Sequence, residues 1–240
     1  MPICEIQIAL ELQHQLTLYS GLAKSPKHPV SEILIYHRIQ ISDSNNIMAD
    51  SSPRRRIVIS NLDLDSDNGN DKTEPGVEVV TATLVTEDMF DGLLQRTKIG
   101  TVSAVPASNE GCGLPVLPDV PGSGIVLPGG VNIYFLDLAP GYTTPMHRTP
   151  SVDYVAVNQG TPILITPKTA FSANDGKADY EETVESLLRP GDVAVQRGAM
   201  HAWANRTNEW VRMIGMVVDA KPSEVTIDGK KLELGERWLQ

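Results

Sequence analysis

One feature constrains this chain more than any other: a train of short apolar segments with no helical period between them. It runs from 131–138 (VNIYFLDL) through 152–158, 162–166, 183–188 and 192–197 to 211–218, each bounded by Gly, Pro or Asn. Short strands at such even spacing, joined by turns, predict an antiparallel sandwich or barrel. The 17 Pro and 19 Gly residues supply the turns. No internal repeat is present, so the train predicts one barrel, and 240 residues suit a single domain with appendages.

The flanking sequence divides around that train. Residues 5–12 alternate apolar and polar, but Leu12, Leu16 and Tyr19 continue at helical spacing, so strand and helix both stay open there. Ile33, Ile35, His37, Ile39 and Ile41 alternate as a strand does. The stretch 42–53 (SDSNNIMADSSP) reads as a linker, and Met48-Ala49-Asp50 inside it resembles a protein start, which makes 1–47 an optional extension. Beyond it, 56–62 and 77–85 read as strands around an acidic, Gly- and Asn-rich exposed loop. Residues 87–97 read as a helical turn or lid, and 103–130, dense in Gly and Pro, as a long irregular cover over a site. At the end, 225–227 and 232–234 flank Asp228-Gly229 as a hairpin. The expected organisation is an N-terminal extension over 1–52, flanking strands and loops over 53–129, the barrel over 130–220 and a C-terminal hairpin over 221–240.

Charge narrows the partners. Thirty acidic against 20 basic residues leave a net charge of −10, which argues against nucleic acid and against an anionic membrane surface. The run Arg54-Arg55-Arg56 reads as a solvated strand entry. Cys4 and Cys112 stand too far apart to suggest a disulfide framework or a thiolate metal site. With no basic leader followed by an apolar core, and no run of about 18 apolar residues, a cytoplasmic protein is expected.

Two stretches carry the chemistry. The first sets Gly141, His147, Thr149, Asp153 and Gly160 along GYTTPMHRTPSVDYVAVNQG, and the second sets Gly191, Asp192, Arg197, Gly198, His201 and Asn205 along GDVAVQRGAMHAWAN. On a strand His147 and Thr149 face the same way, and the turn at Pro150-Ser151 lets the next strand bring Asp153 beside them. The pair of stretches resembles the two motifs of the cupin superfamily, with Thr149 in place of the second histidine, Asp153 in place of the glutamate and a shortened approach to His201. The resemblance covers roughly 130–220. It implies an all-β fold, a single jelly-roll barrel (double-stranded β-helix) with extra N- and C-terminal strands, and a polar site inside.

What the resemblance implies about chemistry starts from His147, His201 and Asp153. Two histidines and a carboxylate are a ligand set for one divalent metal, Fe, Mn, Ni or Zn. Without metal, the same residues suit proton transfer, His201 and His147 as base and acid and Asp153 orienting one of them. Tyr134, Tyr154, Trp203, Thr149 and Met200 are expected to line the substrate pocket and Arg197 to clamp an anionic group, whereas Arg148 should face away from His147. Gln196 and Asn205 read as structural hydrogen bonders. The implied function is small-molecule tailoring by acid–base chemistry (dehydration, cyclisation, isomerisation or decarboxylation) on a polyketide-like or phenolic metabolite, in a homodimer. An iron-dependent dioxygenase and a non-catalytic ligand-binding protein are the alternatives.

Overall fold

A computed structural model describes residues 54–62, 74–174 and 176–239. The segments expected at 5–12 and 33–41, the extension over 1–52, Cys4 and most of the loop after residue 62 lie outside the described residues.

Among the described residues seventeen strands follow one another. They are β1 (Arg55–Asn61), β2 (Val77–Thr83), β3 (Thr86–Met89), β4 (Leu94–Val102), β5 (Val131–Leu138), β6 (Met146–Arg148), β7 (Ser151–Gln159), β8 (Ile163–Pro167), β9 (Ser172–Asn174), β10 (Lys177–Asp179), β11 (Thr183–Leu187), β12 (Val193–Arg197), β13 (Ala202–Ala204), β14 (Val211–Asp219), β15 (Ser223–Ile227), β16 (Lys230–Leu234) and β17 (Arg237–Leu239). The main sheet has the order β12-β7-β14-β5-β4-β3. The opposing layer runs β11-β8-β13 and is joined, through bridges between Thr143 and Ala204 and between His147 and His201, to the pair β6-β17. Two antiparallel sheets whose strands return across one another make the jelly roll expected from the sequence.

Period-two burial explains why these segments pair as they do. Along β7, Ser151, Asp153, Val155 and Val157 are buried and alternate with less buried neighbours; along β14, Val211, Met213, Gly215 and Val217 do the same. The register sets these inward residues opposite each other, Gly215 facing Val155 on one side and Tyr134 on the other. Leu94, Leu138, Val155, Val157, Val211 and Met213 then pack on Trp203 and Leu188 to form the core between the layers. A one-residue slip would turn every one of these outward.

Three local readings change. Residues 87–97 are no helical turn: Phe90, Asp91 and Gly92 take positive φ (49°, 56° and 81°) and close a hairpin between β3 and β4, which add two strands to the main sheet. The barrel therefore begins before residue 130. β17, three residues long, pairs with β6 and was not foreseen. Of the arginine run, Arg54 binds buried Asp137, which Arg212 also contacts at 2.7 Å, and Arg56 donates to the Ile99 carbonyl, so only Arg55 fits a solvated strand entry. The hairpin at Asp228-Gly229 and the irregular path over 103–130 appear as expected. No helix among the described residues is long and apolar enough to cross a membrane.

Asn205 anchors the end of β13. Its Nδ2 donates to the carbonyls of Leu138, Ala139 and Glu209, and its Oδ1 accepts from Thr207. Losing these leaves several buried groups unpaired, so Asn205→Ala should lower stability by about 2–4 kcal/mol in urea unfolding. Asn205→Asp should cost a similar amount despite its equal shape, because a carboxylate cannot donate; a near-neutral Asp variant would contradict this account.

Candidate functional site

The site is built on one backbone exchange. The amides of His147 and His201 each donate to the other's carbonyl, at 2.8 and 2.9 Å, which ties β6 to the start of β13. Gly198, at φ 58°, turns the chain from β12 into that approach, a conformation that glycine adopts without steric cost. The two imidazole rings come to 4.3 Å between centroids.

Both rings are fixed in the same tautomer. Nδ1 of His147 lies 2.9 Å from the Pro145 carbonyl and Nδ1 of His201 lies 2.9 Å from the Ala199 carbonyl. A carbonyl oxygen only accepts, so each Nδ1 carries the proton and each Nε2 keeps its lone pair. Burial holds His147 below the usual imidazole range, and burial together with the neighbouring His147 pushes His201 down to about 3. Both are neutral bases at neutral pH. Asp153 moves the opposite way, raised by burial to about 6.

These groups line a cavity of about 60 Å³ whose walls are mostly apolar, among them Leu94, Leu136, Val155, Trp203 and Val217. One ordered water needs roughly 10–15 Å³ of such space, so this chamber takes a small molecule or the head of a larger one. Thr149 lines it and accepts a hydrogen bond from Ser151 at 3.0 Å. Tyr134 lies against Gly215, whose lack of a side chain admits the ring; burial and the charge of Asp153 raise its phenol well above the usual range. Arg148 turns away to the Gly235 carbonyl, as period two requires.

Of the residues expected in the pocket, His147, Thr149, Asp153, His201, Tyr134 and Trp203 line it. Arg197, Tyr154 and Met200 do not. Gln196 and Asp153 take the inward positions on β12 and β7, so their neighbours Arg197 and Tyr154 are exposed on the outer face. Met200 packs instead with Met146, Ala202 and Leu239. The structure also brings in residues that sequence reasoning missed. Trp238 of β17 stacks on His147 at 4.3 Å and 5° and donates to Glu236 at 2.7 Å. Gln196, read as structural, faces the cavity, and Arg96 and Phe90 close one side of it.

The donor set differs from what the metal implied by the motifs requires. Two Nε2 lone pairs are available, but among the described residues no three His, Cys, Asp or Glu side chains stand together to hold an ion. Thr149 takes the place of a ligand, and Asp153 does not join the imidazoles in one group. The residues present do not fit a metal held by His147, Asp153 and His201 together.

Comparisons with known proteins find relatives described as cupin-domain-containing. No family model matches the chain. Phomopsin biosynthesis cluster protein D of Diaporthe leptostromiformis is 41% identical over 110 residues, 45% of this chain and 50% of that protein. The cupin-domain-containing oxidoreductase srdB of Neurospora crassa is 32% identical over 114 residues, 47% and 50% of the two chains. Oryzines biosynthesis cluster protein J of Aspergillus oryzae is 33% identical over 112 residues, 46% and 52%. This chain matches about half the length of these relatives. Among solved structures, oxalate oxidase overlays at TM-score 0.30 with 24% identity over 39% of this chain and 46% of its own, too distant for anything to be carried across. Over about half its length the chain is thus similar to proteins described as cupin-domain-containing.

Trp238 covers one face of the His147 ring. Removing it should hydrate His147, so Trp238→Ala should raise the His147 pKa toward the ordinary imidazole value in NMR titration, while Trp238→Phe keeps it low. An unchanged pKa in the Ala variant would show that the stack does not desolvate the ring.

Proposed function

We propose that this barrel is an acid–base enzyme acting on a small organic metabolite, with the neutral histidines as base and Asp153 as acid. The observation that carries the reading is the pair of fixed Nε2 lone pairs that line one cavity with a carboxyl whose pKa is displaced in the opposite direction. Groups pushed apart in this way mark acid and base in one site. Relative to the roles expected from sequence, Asp153 replaces His147 as the acid, since burial keeps both imidazoles neutral. Relatives named for biosynthesis clusters support a metabolite as substrate, and the apolar walls suit a polyketide-like or phenolic skeleton.

The rate should depend on protonated Asp153. It should therefore fall as pH rises past about 6, by about tenfold per pH unit. Asp153→Asn should abolish that limb and slow turnover by about 10²- to 10⁴-fold. The natural substrate can be isolated from cells in which His201→Ala replaces the wild type, where it accumulates. Turnover should then proceed anaerobically; a strict need for dioxygen would favour the oxygenase alternative. A protein that binds the compound without converting it would be a ligand carrier.

A homodimer remains part of the proposal. Val193, Val195, Tyr154 and Met216 are exposed on the outer face of the main sheet, where Val195 and Met216 are both register neighbours of Tyr154. Light scattering at micromolar concentration should give a dimer that Val195→Lys with Met216→Lys converts to monomer. A monomeric wild type would contradict the pairing.

A further inference from the structure

Lys98 points into the barrel. It stands opposite Tyr134 in the β4–β5 ladder and shares a face of β4 with Leu94 and Arg96, all three of which line the histidine cavity or its border. A second cavity of about 240 Å³ opens at Lys98, lined also by Asn132, Glu87 and Asp119. Arg96 and Tyr134 belong to both cavities, Leu94 and Leu136 to the first, Lys98 and Asn132 to the second. The two therefore succeed one another along β4 and β5, offset by one two-residue repeat, roughly 7 Å.

The charges around the second cavity do not cancel at its wall. Arg96 gives Nε and Nη2 to Glu87 at 3.2 and 2.9 Å and Nη1 to the carbonyls of Ser123 and Gly124, so Glu87 is already engaged. Gly124, at φ 73°, makes room for that clamp, since a Cβ there would stand 2.7 Å from the guanidinium. Asp119 is exposed to water. Lys98 is half-buried and pairs with no carboxylate among the described residues. Asn132, fully buried, donates Nδ2 to the Gly124 and Ile125 carbonyls and keeps a neutral Oδ1 that can accept one ammonium hydrogen but cannot balance its charge. An ammonium drawn from water without a counter-charge is unfavourable, and the group that relieves it is an anion.

We propose that the second cavity is a carboxylate site with Lys98 as its ion-pair partner, and that the substrate is an amphiphilic carboxylic acid whose apolar part enters the histidine cavity. The substrate role rests on the acid–base reading given above; the carboxylate site does not. Lys98 supplies charge and the Tyr134 phenol, at the junction of the cavities, supplies a second donor. The apolar walls of the first cavity receive the carbon skeleton. A chain of net charge −10 repels anions over its surface at large, so affinity for a carboxylate has to come from a local site of this kind.

Isothermal titration calorimetry of the full chain compares 4-phenylbutanoate, whose chain suits the offset between the cavities, with 4-phenyl-1-butanol and with acetate. The acid should bind the wild type about tenfold or more tightly than the alcohol, which lacks the charge, and than acetate, which lacks the ring. Lys98→Met should weaken the acid about ten- to hundredfold and leave the alcohol unchanged, whereas Lys98→Arg should keep most of the affinity. Lys230→Met, on an exposed strand, should bind as the wild type does. Melting curves check the fold; if the Met variant does not fold, Lys98→Gln should show the same loss. No binding of the acid, equal binding of alcohol or acetate, or undiminished acid binding without Lys98 overturns the assignment. If it falls while Asp153→Asn and His201→Ala still stop turnover of the natural substrate, the acid–base reading stands; if the acid binds through Lys98 while those variants turn over normally, the carboxylate site stands and the acid–base reading falls.

Discussion

The reciprocal hydrogen bonds between the backbones of His147 and His201 are what the rest of the site depends on. They join β6 to β13 and so bring β6 and β17 alongside the second layer of the barrel. They also place two imidazoles side by side in a buried chamber, where neither takes up a second proton at neutral pH. Everything chemical about the cavity follows from that neutrality: a protonated dyad would repel cations and offer no base, whereas this one presents two lone pairs to whatever enters.

Around the bridge, each layer contributes a different kind of group. The main sheet supplies Asp153, Gln196 and Tyr134, held at fixed spacing by strand register, while the second layer supplies the histidines and Trp203. Rigid strands on both sides mean that the site is preorganised. Trp238 adds a lid over one face of His147, contributed by a strand only three residues long.

The train of strands was legible because period two survives in β7 and β14 above all, where one face is buried between layers. The pair of motif histidines and Thr149 was legible for the same reason, since their spacing fixes their common side. Residues 87–97 were misread although Asp91-Gly92 is a hairpin signal, because the acids and apolar residues around it also fit a helical turn; the hairpin turns on Phe90, Asp91 and Gly92 at positive φ. Trp238 lay in a strand too short to show a period. Gln196 and Arg197 were exchanged in role because β12 carries its valines outward, so its hydrophobic pattern points to the wrong face.

The protonation state of the histidine pair is the central claim, and ¹⁵N NMR of the ring nitrogens measures it directly. At neutral pH both rings should give the signature of the neutral Nδ1–H tautomer, with Nε2 unprotonated. A charged imidazolium at either residue, or a proton on Nε2, would contradict the account.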